Sequence, residues 1–125
     1  MKLKPGVDIS NLHPELVSIL PLVEMTYNEV RLDNLMLTIE MTATSGHEES
    51  SKHGKKSRHY ERNCESGHGE AIDFRMNDIH QTLATEICGM IAKVLRQYYP
   101  GKYKVFFEGC LTQNSHLHLQ IRGKQ

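Results

Sequence analysis

The stretch "HLHLQI", residues 116 to 121, determines much of what can be expected of this chain. Strict alternation of apolar and polar residues over six positions predicts a half-buried β-strand, because successive side chains of a strand point to opposite faces. One face would carry Leu117, Leu119 and Ile121, and the other His116, His118 and Gln120. The apolar face fits a core, and the two histidines on the other face must be directed at something else.

Two amphipathic helices are predicted from apolar residues at helical spacing. Asn11 is expected to cap the first helix, with Pro14 in its opening turn and its end near Val30. Asp78 is expected to cap the second helix, which Pro100 and Gly101 terminate. The apolar stripes of the two helices consist of Leu16, Ile19, Leu20 and Val23, and of Leu83, Ile87, Ile91, Val94 and Leu95.

Three further segments have the composition of β-strands, and one long segment does not fit a core at all. The predicted strands cover residues 35–44, 71–76, 103–109 and 116–123, with a polar turn around Gln113 and Asn114. Residues 45–70 are rich in Gly, Ser, Lys, Glu and His, and a loop of this length is uncommon without a function. This order predicts a single domain over residues 1–125 of the α+β class: a small antiparallel sheet, helices packed on one side, and a long His-rich loop.

The composition limits the partners and the cellular compartment that we expect. The chain of 125 residues has 15 Lys plus Arg and 15 Asp plus Glu, so no net charge favours nucleic acid or an anionic membrane as a partner. The cysteines, Cys64, Cys88 and Cys110, are an odd number, lie far apart and suit a reducing compartment. No export signal or membrane span is recognisable, so we expect a cytoplasmic monomer.

Histidine is unusually frequent and clustered. Four of the 8 histidines lie in the polar segment, namely His47, His53, His59 and His68. This segment leads into Asp73, and the last strand adds His116 and His118, so imidazoles and a carboxylate can meet at one end of the sheet. Two His and one Asp form a three-ligand zinc site with a position left for water, as catalytic zinc sites have. Glu108 is the best-placed carboxylate to act as general base.

Several short motifs, taken in order, resemble the zinc D-Ala-D-Ala carboxypeptidase and endolysin family (peptidase family M15, with its hedgehog-type zinc fold), above all its small phage-encoded members. The resemblance covers roughly residues 40–122 and rests on "TSG" (44–46), "KH" (52–53), "SRHY" (57–60), "GEAIDFR" (69–75), "VFFEG" (105–109) and "HLHLQI". It implies that His59, Asp73 and His118 are the zinc ligands. It also implies that Glu108 is the base and that His116 steadies the bound water or the tetrahedral intermediate.

The chain departs from the family pattern in two places. His59 and Asp73 are separated by 13 residues, more than the family has, and "SGHGEAID" supplies His68 as an alternative first ligand. The segment "GCLTQNS" between Glu108 and His116 is also longer than in the family. A hairpin with a longer turn would accommodate it.

The function that follows from the resemblance is hydrolysis of a peptide bond in bacterial peptidoglycan stem peptides by a zinc metallopeptidase. Such an enzyme without an export signal suits a phage or prophage, where it reaches the cell wall after release or as part of a virion. The alternatives are a catalytically inactive zinc-containing module of the same fold that binds a peptide or protein, and a metal-free phage assembly protein.

Overall fold

The computed structural model describes residues 1–33, 40–45, 57–59 and 64–122. Predicted features at Leu35, Leu37, Ile39, His47, Lys52, His53 and Tyr60 lie outside the described residues. The elements in chain order are β1 (Lys2–Leu3), α1 (Pro14–Asp33), β2 (Thr42–Ser45), β3 (Ala71–Arg75), α2 (Gln81–Tyr98), β4 (Tyr103–Glu108) and β5 (His116–Ile121). The chain therefore has the predicted α+β architecture.

The five strands form one sheet in the order β1-β2-β3-β5-β4. The pairs β2–β3, β3–β5 and β4–β5 are antiparallel, as predicted, but β1 pairs with β2 in parallel, so the sheet is mixed. The sequence prediction missed β1 because a strand of two residues, Lys2–Leu3, has no periodicity to detect.

The alternation within "HLHLQI" places its two sets of side chains on opposite sides of the sheet. Leu117 and Leu119 are fully buried and lie opposite Phe74 and Ile72 of β3, which are also fully buried. Residues opposite each other in an antiparallel pair share a face, so this side is the core face. The core that the two helices complete includes Leu16, Ile19, Val23, Tyr27, Leu83, Ile87, Ile91 and Leu95.

Both helix caps differ from the prediction. The helix α1 starts at Pro14, and the ring nitrogen Nδ1 of His13 accepts a hydrogen bond from the backbone N–H of Glu15 at 3.1 Å, so Asn11 does not cap it. The N-cap of α2 is His80, not Asp78, because the side chain of His80 accepts from the backbone N–H of Thr82. An imidazole with an unprotonated nitrogen supplies the same acceptor as the Asn, Asp, Ser or Thr that the prediction sought.

Two large aromatic side chains lie outside the core. Tyr98 is 62% exposed and Phe106 is 47% exposed. Phe106 lies opposite His118 in the β4–β5 pair, so it belongs to the face that carries the histidines. None of the helices in the described ranges has the length and apolar character needed to cross a bilayer.

Candidate metal centre

Three potential metal ligands meet on the sheet face opposite the helices. His118 of β5 lies directly across from Asp73 of β3, and its Nδ1 is 2.8 Å from Asp73 Oδ1. The Nε2 of His59 is 3.2 Å from the other carboxylate oxygen, Oδ2. One potential ligand atom from each of the three residues lies within 4.8 Å of the other two. The sheet face on which the alternation predicts His118 is therefore the face that holds Asp73 and His59.

Burial and hydrogen bonding determine the charge of this cluster. His59 is 2% exposed and Asp73 is 6% exposed. Burial acts to raise the pKa of Asp73, but hydrogen bonds from His118 and His59 outweigh it and hold this pKa well below its usual range. Burial acts to lower the pKa of His118, yet its hydrogen bonds to Asp73 and Gln120 leave this pKa raised. The cluster thus keeps an ionised carboxylate between two imidazoles.

A short segment, residues 57–59, delivers His59 to the sheet and is fixed to the start of β3. The backbone N–H of Glu70 donates to the carbonyl of Arg58 at 2.9 Å, and the Arg58 guanidinium forms an ion pair with the Glu70 carboxylate. The Ser57 hydroxyl accepts from the backbone N–H of His59 at 3.1 Å. These contacts with Glu70 fix the position of His59 next to β3.

Glu108 and His116 lie beside the cluster, at the end of the β4–β5 hairpin. The Oε1 atom of Glu108 is 4.0 Å from His118 Nδ1 and 4.0 Å from His116 Nε2. The carbonyl oxygen of Asn114 lies 2.5 Å from His116 Nδ1, and a carbonyl can only accept, so Nδ1 carries the proton. The other nitrogen of His116, Nε2, is the one that faces Glu108.

The long turn between Glu108 and His116 is held against the start of α2. The side-chain oxygen of Gln81 accepts from the backbone N–H of Leu111 at 2.9 Å and from the Ser115 hydroxyl at 2.7 Å. Gly109 has a φ of 69°, and a Cβ there would lie 2.9 Å from the Thr112 hydroxyl oxygen. The extra residues therefore form an anchored turn that keeps Glu108 and His116 adjacent, as the register Glu108↔His116 shows.

His68, the alternative first ligand, lies elsewhere. Its Nδ1 is 2.7 Å from the side-chain oxygen of Asn11, and its ring contacts the ring of His13 edge to face, with centroids 5.8 Å apart. The structure brings His59, and not His68, to Asp73 and His118.

The cluster opens into a groove of about 830 Å³. Besides the cluster, its walls include Lys4, Arg75, Glu108, His116, Asn114 and Ser57. Arg75 lies opposite His116 in the β3–β5 pair, two residues beyond Asp73 on the same face. The groove thus combines the His/Asp/His cluster, a carboxylate and two cations.

Comparisons with protein-family models, with curated proteins and with solved structures gave no match to this chain.

Two groups near the site had no assigned role in the sequence analysis. Lys4 reaches the groove because β1 pairs with β2, and nothing in the sequence signals so short a strand. Gln120 contacts His118 directly, with its Oε1 2.9 Å from His118 Nε2. The signal for Gln120 was present, since it alternates in step with His116 and His118.

Proposed function

We propose that this protein is a zinc-dependent metallopeptidase that hydrolyses a peptide bond in bacterial peptidoglycan stem peptides. The observation that carries the proposal is the buried His59–Asp73–His118 cluster with Glu108 Oε1 at 4.0 Å from His118 Nδ1, at the wall of an open groove. The substrate class comes from the resemblance of the motifs to the zinc carboxypeptidase and endolysin family, and so does an origin in a phage or prophage.

The residues present fit a zinc ion. Two imidazoles and one carboxylate are the donor set of many catalytic zinc sites, in which three protein ligands leave a further position free. Asp73 is held ionised, as a ligand carboxylate must be, and His118 makes a second hydrogen bond through its other nitrogen. His59, Asp73 and His118 would hold the ion, which would supply Lewis acidity towards a carbonyl and lower the pKa of water.

The positions of Glu108 and His116 support their proposed roles. Glu108 is 51% exposed at the groove, so it can take a proton from water and return it to the leaving amine. His116 has its Nδ1 proton committed to the carbonyl of Asn114, so its Nε2 is directed to the region in front of Glu108. A protonated Nε2 there would donate to the oxygen that becomes negative during attack on the peptide carbonyl.

The cations of the groove suit a substrate with carboxylate groups, as stem peptides have. Among the described residues, no carboxylate lies within ion-pair distance of Arg75 or Lys4. A guanidinium can bind a carboxylate through two parallel hydrogen bonds. We therefore expect Arg75 to orient an acidic group of the peptide next to the bond that is cut.

The test combines metal analysis with digestion of purified peptidoglycan of several chemical types, read by mass spectrometry. The wild type should bind one zinc ion per chain and release defined peptides or amino acids. Glu108→Gln should retain zinc and lose about 10²- to 10⁴-fold of the rate, the range of general-base catalysis. Glu86→Gln makes the same change at an exposed position on α2 and is the matched control. It should leave the zinc content and the rate of hydrolysis unchanged.

The outcomes separate this proposal from a binding module of the same fold. A zinc-loaded wild type that binds stem peptides without cleaving any of the walls would favour the inactive module. Full activity of Glu108→Gln would reject Glu108 as the base, and a chain that binds no zinc would remove the metal site itself.

A further inference from the structure

The two cations of the groove lie towards one edge of the sheet, and the proposed base lies towards the other. In the register across the strands, Arg75 of β3 lies opposite His116 of β5, which in turn lies opposite Glu108 of β4. Lys4 directly follows β1, the strand at the far edge from β4. The groove therefore has a cationic end towards β1 and an end towards β4 that holds the base.

Backbone contacts fix Lys4 at the cationic end. Its N–H donates to the carbonyl oxygen of Ala43 at 2.9 Å, which continues the pairing Leu3↔Ala43 between β1 and β2. Ala43 is fully buried in the core, so the alternation of β1 places Lys4 on the opposite face, which is the groove face. Arg75 is half-buried and Lys4 is exposed. A half-buried guanidinium and an exposed ammonium group therefore line the same end of the groove.

A smaller hollow of about 370 Å³ continues the groove at this end and is also lined by Lys4 and Arg75. Two carboxylates, those of Glu40 and Asp78, line it as well. Glu40 is paired with the amino group of Met1 at 3.1 Å. Asp78 is exposed, and in the part of the chain that the structure describes no carboxylate lies within ion-pair distance of Arg75 or Lys4. Both cations are therefore available to an anionic ligand.

The position of the base indicates which half of the peptide reaches the cations. A base that takes a proton from water and returns it to the leaving amine must be within hydrogen-bond reach of that nitrogen. The amine half of the substrate would therefore lie at the β4 end with Glu108, and the acyl half would extend over β3 towards β1. Arg75 lies two residues along β3 from Asp73, about 7 Å, and one residue of extended peptide spans about 3.5 Å. The guanidinium of Arg75 can thus reach the residue that precedes the cut bond.

The other end of the groove has no cation for the carboxylate of a terminal residue. Release of a C-terminal residue would place a free carboxylate in the amine half of the substrate, next to Glu108. On this side the groove is lined by Gln113, Asn114 and His116, and none of the described lining residues there is a lysine or an arginine. The charges of the groove therefore favour an acidic group in the acyl half.

We propose that Arg75 and Lys4 form a carboxylate subsite for the acyl half of the substrate. The enzyme would then cut after a residue with a free carboxyl group and would not release a C-terminal residue. This subsite rests on the proposed function for the reaction and for Glu108 as the base. Arg75 supplies two parallel N–H donors to the carboxylate, and Lys4 adds a point charge.

The first test uses the zinc-loaded wild type and synthetic stem peptides of one sequence, in each of which a single carboxyl group is converted to its amide. Mass spectrometry of the products identifies the cut bond and gives kcat/KM. The cut bond should follow a residue with a free carboxyl group. Amidation of that group should lower kcat/KM about 10- to 100-fold, as loss of a hydrogen bond to a charged group does. Release of the C-terminal residue as the main product, or rates that no amidation lowers, would overturn the proposal.

Substitution of the cations tests whether they bind this carboxylate. Arg75→Gln should lower kcat/KM for the free acid about 10- to 100-fold and abolish the difference between acid and amide, because both changes remove the same interaction. A structural role of Arg75 would lower both rates and leave the difference intact, which would reject the subsite. Lys4→Gln should reduce the difference about two- to fivefold.

Two further sets of variants complete this test. Arg96→Gln and Lys93→Gln make the same chemical changes at exposed positions of α2, and they should leave the difference between acid and amide unchanged. If Arg75→Gln fails to fold, Arg75→Lys replaces it, since lysine keeps the charge without the paired donors. The difference between acid and amide should be smaller in Arg75→Lys than in the wild type, and an unchanged difference would reject Arg75.

Binding without turnover separates the subsite from the proposed function. The Kd values of the acid and its amide for Glu108→Gln, measured by isothermal titration calorimetry, should differ about 10- to 100-fold. A wild type that cleaves stem peptides, with equal Kd values for acid and amide, would remove only the carboxylate subsite. A wild type that binds no zinc and cleaves nothing would end the proposed function and the assignment to the acyl half. Weaker binding of the amide in that case would still support Arg75 and Lys4 as a carboxylate site.

Discussion

The two faces of the sheet are made by the same strands and serve different purposes. On the core face, Leu117, Leu119 and Phe74 are fully buried and belong to the hydrophobic core that the two helices complete. On the groove face, His118 and Asp73 lie at the same level of the same strands, joined by a hydrogen bond of 2.8 Å. Neighbouring residues of one strand, such as His118 and Leu119, therefore belong to different environments.

The difference separates the apolar core from the proposed metal site. Burial of apolar side chains is worth about 25 cal/mol per Å², so the core face supplies most of the folding free energy. The groove face instead carries charged and polar groups whose burial is costly unless they are paired, as Asp73 is with two imidazoles. Substitutions on the two faces should consequently have separable effects.

The largest effect is expected from Asp73→Asn. The substitution keeps the shape of the side chain but removes the charge and turns one ligand oxygen into an amide nitrogen, which cannot bind a metal. Zinc binding and peptidoglycan hydrolysis should both be lost, as measured by metal analysis and by release of soluble peptide. A near-ultraviolet circular dichroism spectrum that matches wild type would show that the fold is retained. Full zinc occupancy in this variant would contradict the assignment of Asp73 as a ligand.

A comparison of His59→Ala with His68→Ala distinguishes the two candidates for the first metal ligand. His59 lies at Asp73, whereas His68 pairs with Asn11 and contacts His13. Removing a group that only orients a metal ligand typically lowers metal affinity by about 10- to 100-fold. Because His59 is a proposed ligand itself, we expect His59→Ala to lower zinc affinity by at least about 100-fold. His68→Ala should bind zinc as wild type does. The reverse pattern, in zinc counted per chain after dialysis, would make His68 the ligand.

The alternation of apolar and polar residues was enough to predict which side chains lie on which face of the sheet. The period of two in "HLHLQI" separates the faces, and the strand carrying Asp73 follows the same rule. What alternation cannot supply is the partner across the sheet: the pairing Asp73↔His118 depends on β5 inserting between β3 and β4. The position of His59 depends on contacts of Arg58 with Glu70, and these have no local signature. The caps were mispredicted because histidine is seldom considered as a capping acceptor.

Leu119→Ala tests the core face of the same strand. Leu119 is fully buried and lies opposite Ile72 and Val105. Loss of a buried Leu side chain typically costs about 2–5 kcal/mol of unfolding free energy, which urea titration of the metal-free protein should show. Zinc affinity of the folded fraction should stay as in wild type. Ile87→Ala, at a fully buried site on α2, is the matched control of similar cost. A loss of zinc affinity specific to Leu119→Ala would show that the two faces are not independent.

The smallest change in unfolding free energy is expected at high pH, from the ionisation of Tyr27 in the core. Tyr27 is 1% exposed, and burial, reinforced by the charge of Asp78, raises its pKa to about 12. Because the folded-state pKa lies above the unfolded value of about 10, the contribution of the neutral phenol to stability is complete below pH 10. It is lost as the pH rises from 10 towards 12. In urea titrations, Tyr27→Phe should lack this component, so the difference in unfolding free energy between wild type and variant should change by about 1.4 kcal/mol between pH 8 and pH 11. A difference that does not change with pH would mean that Tyr27 ionises in the folded core as easily as in the unfolded chain, which a side chain packed beneath the sheet cannot do without exposure to water.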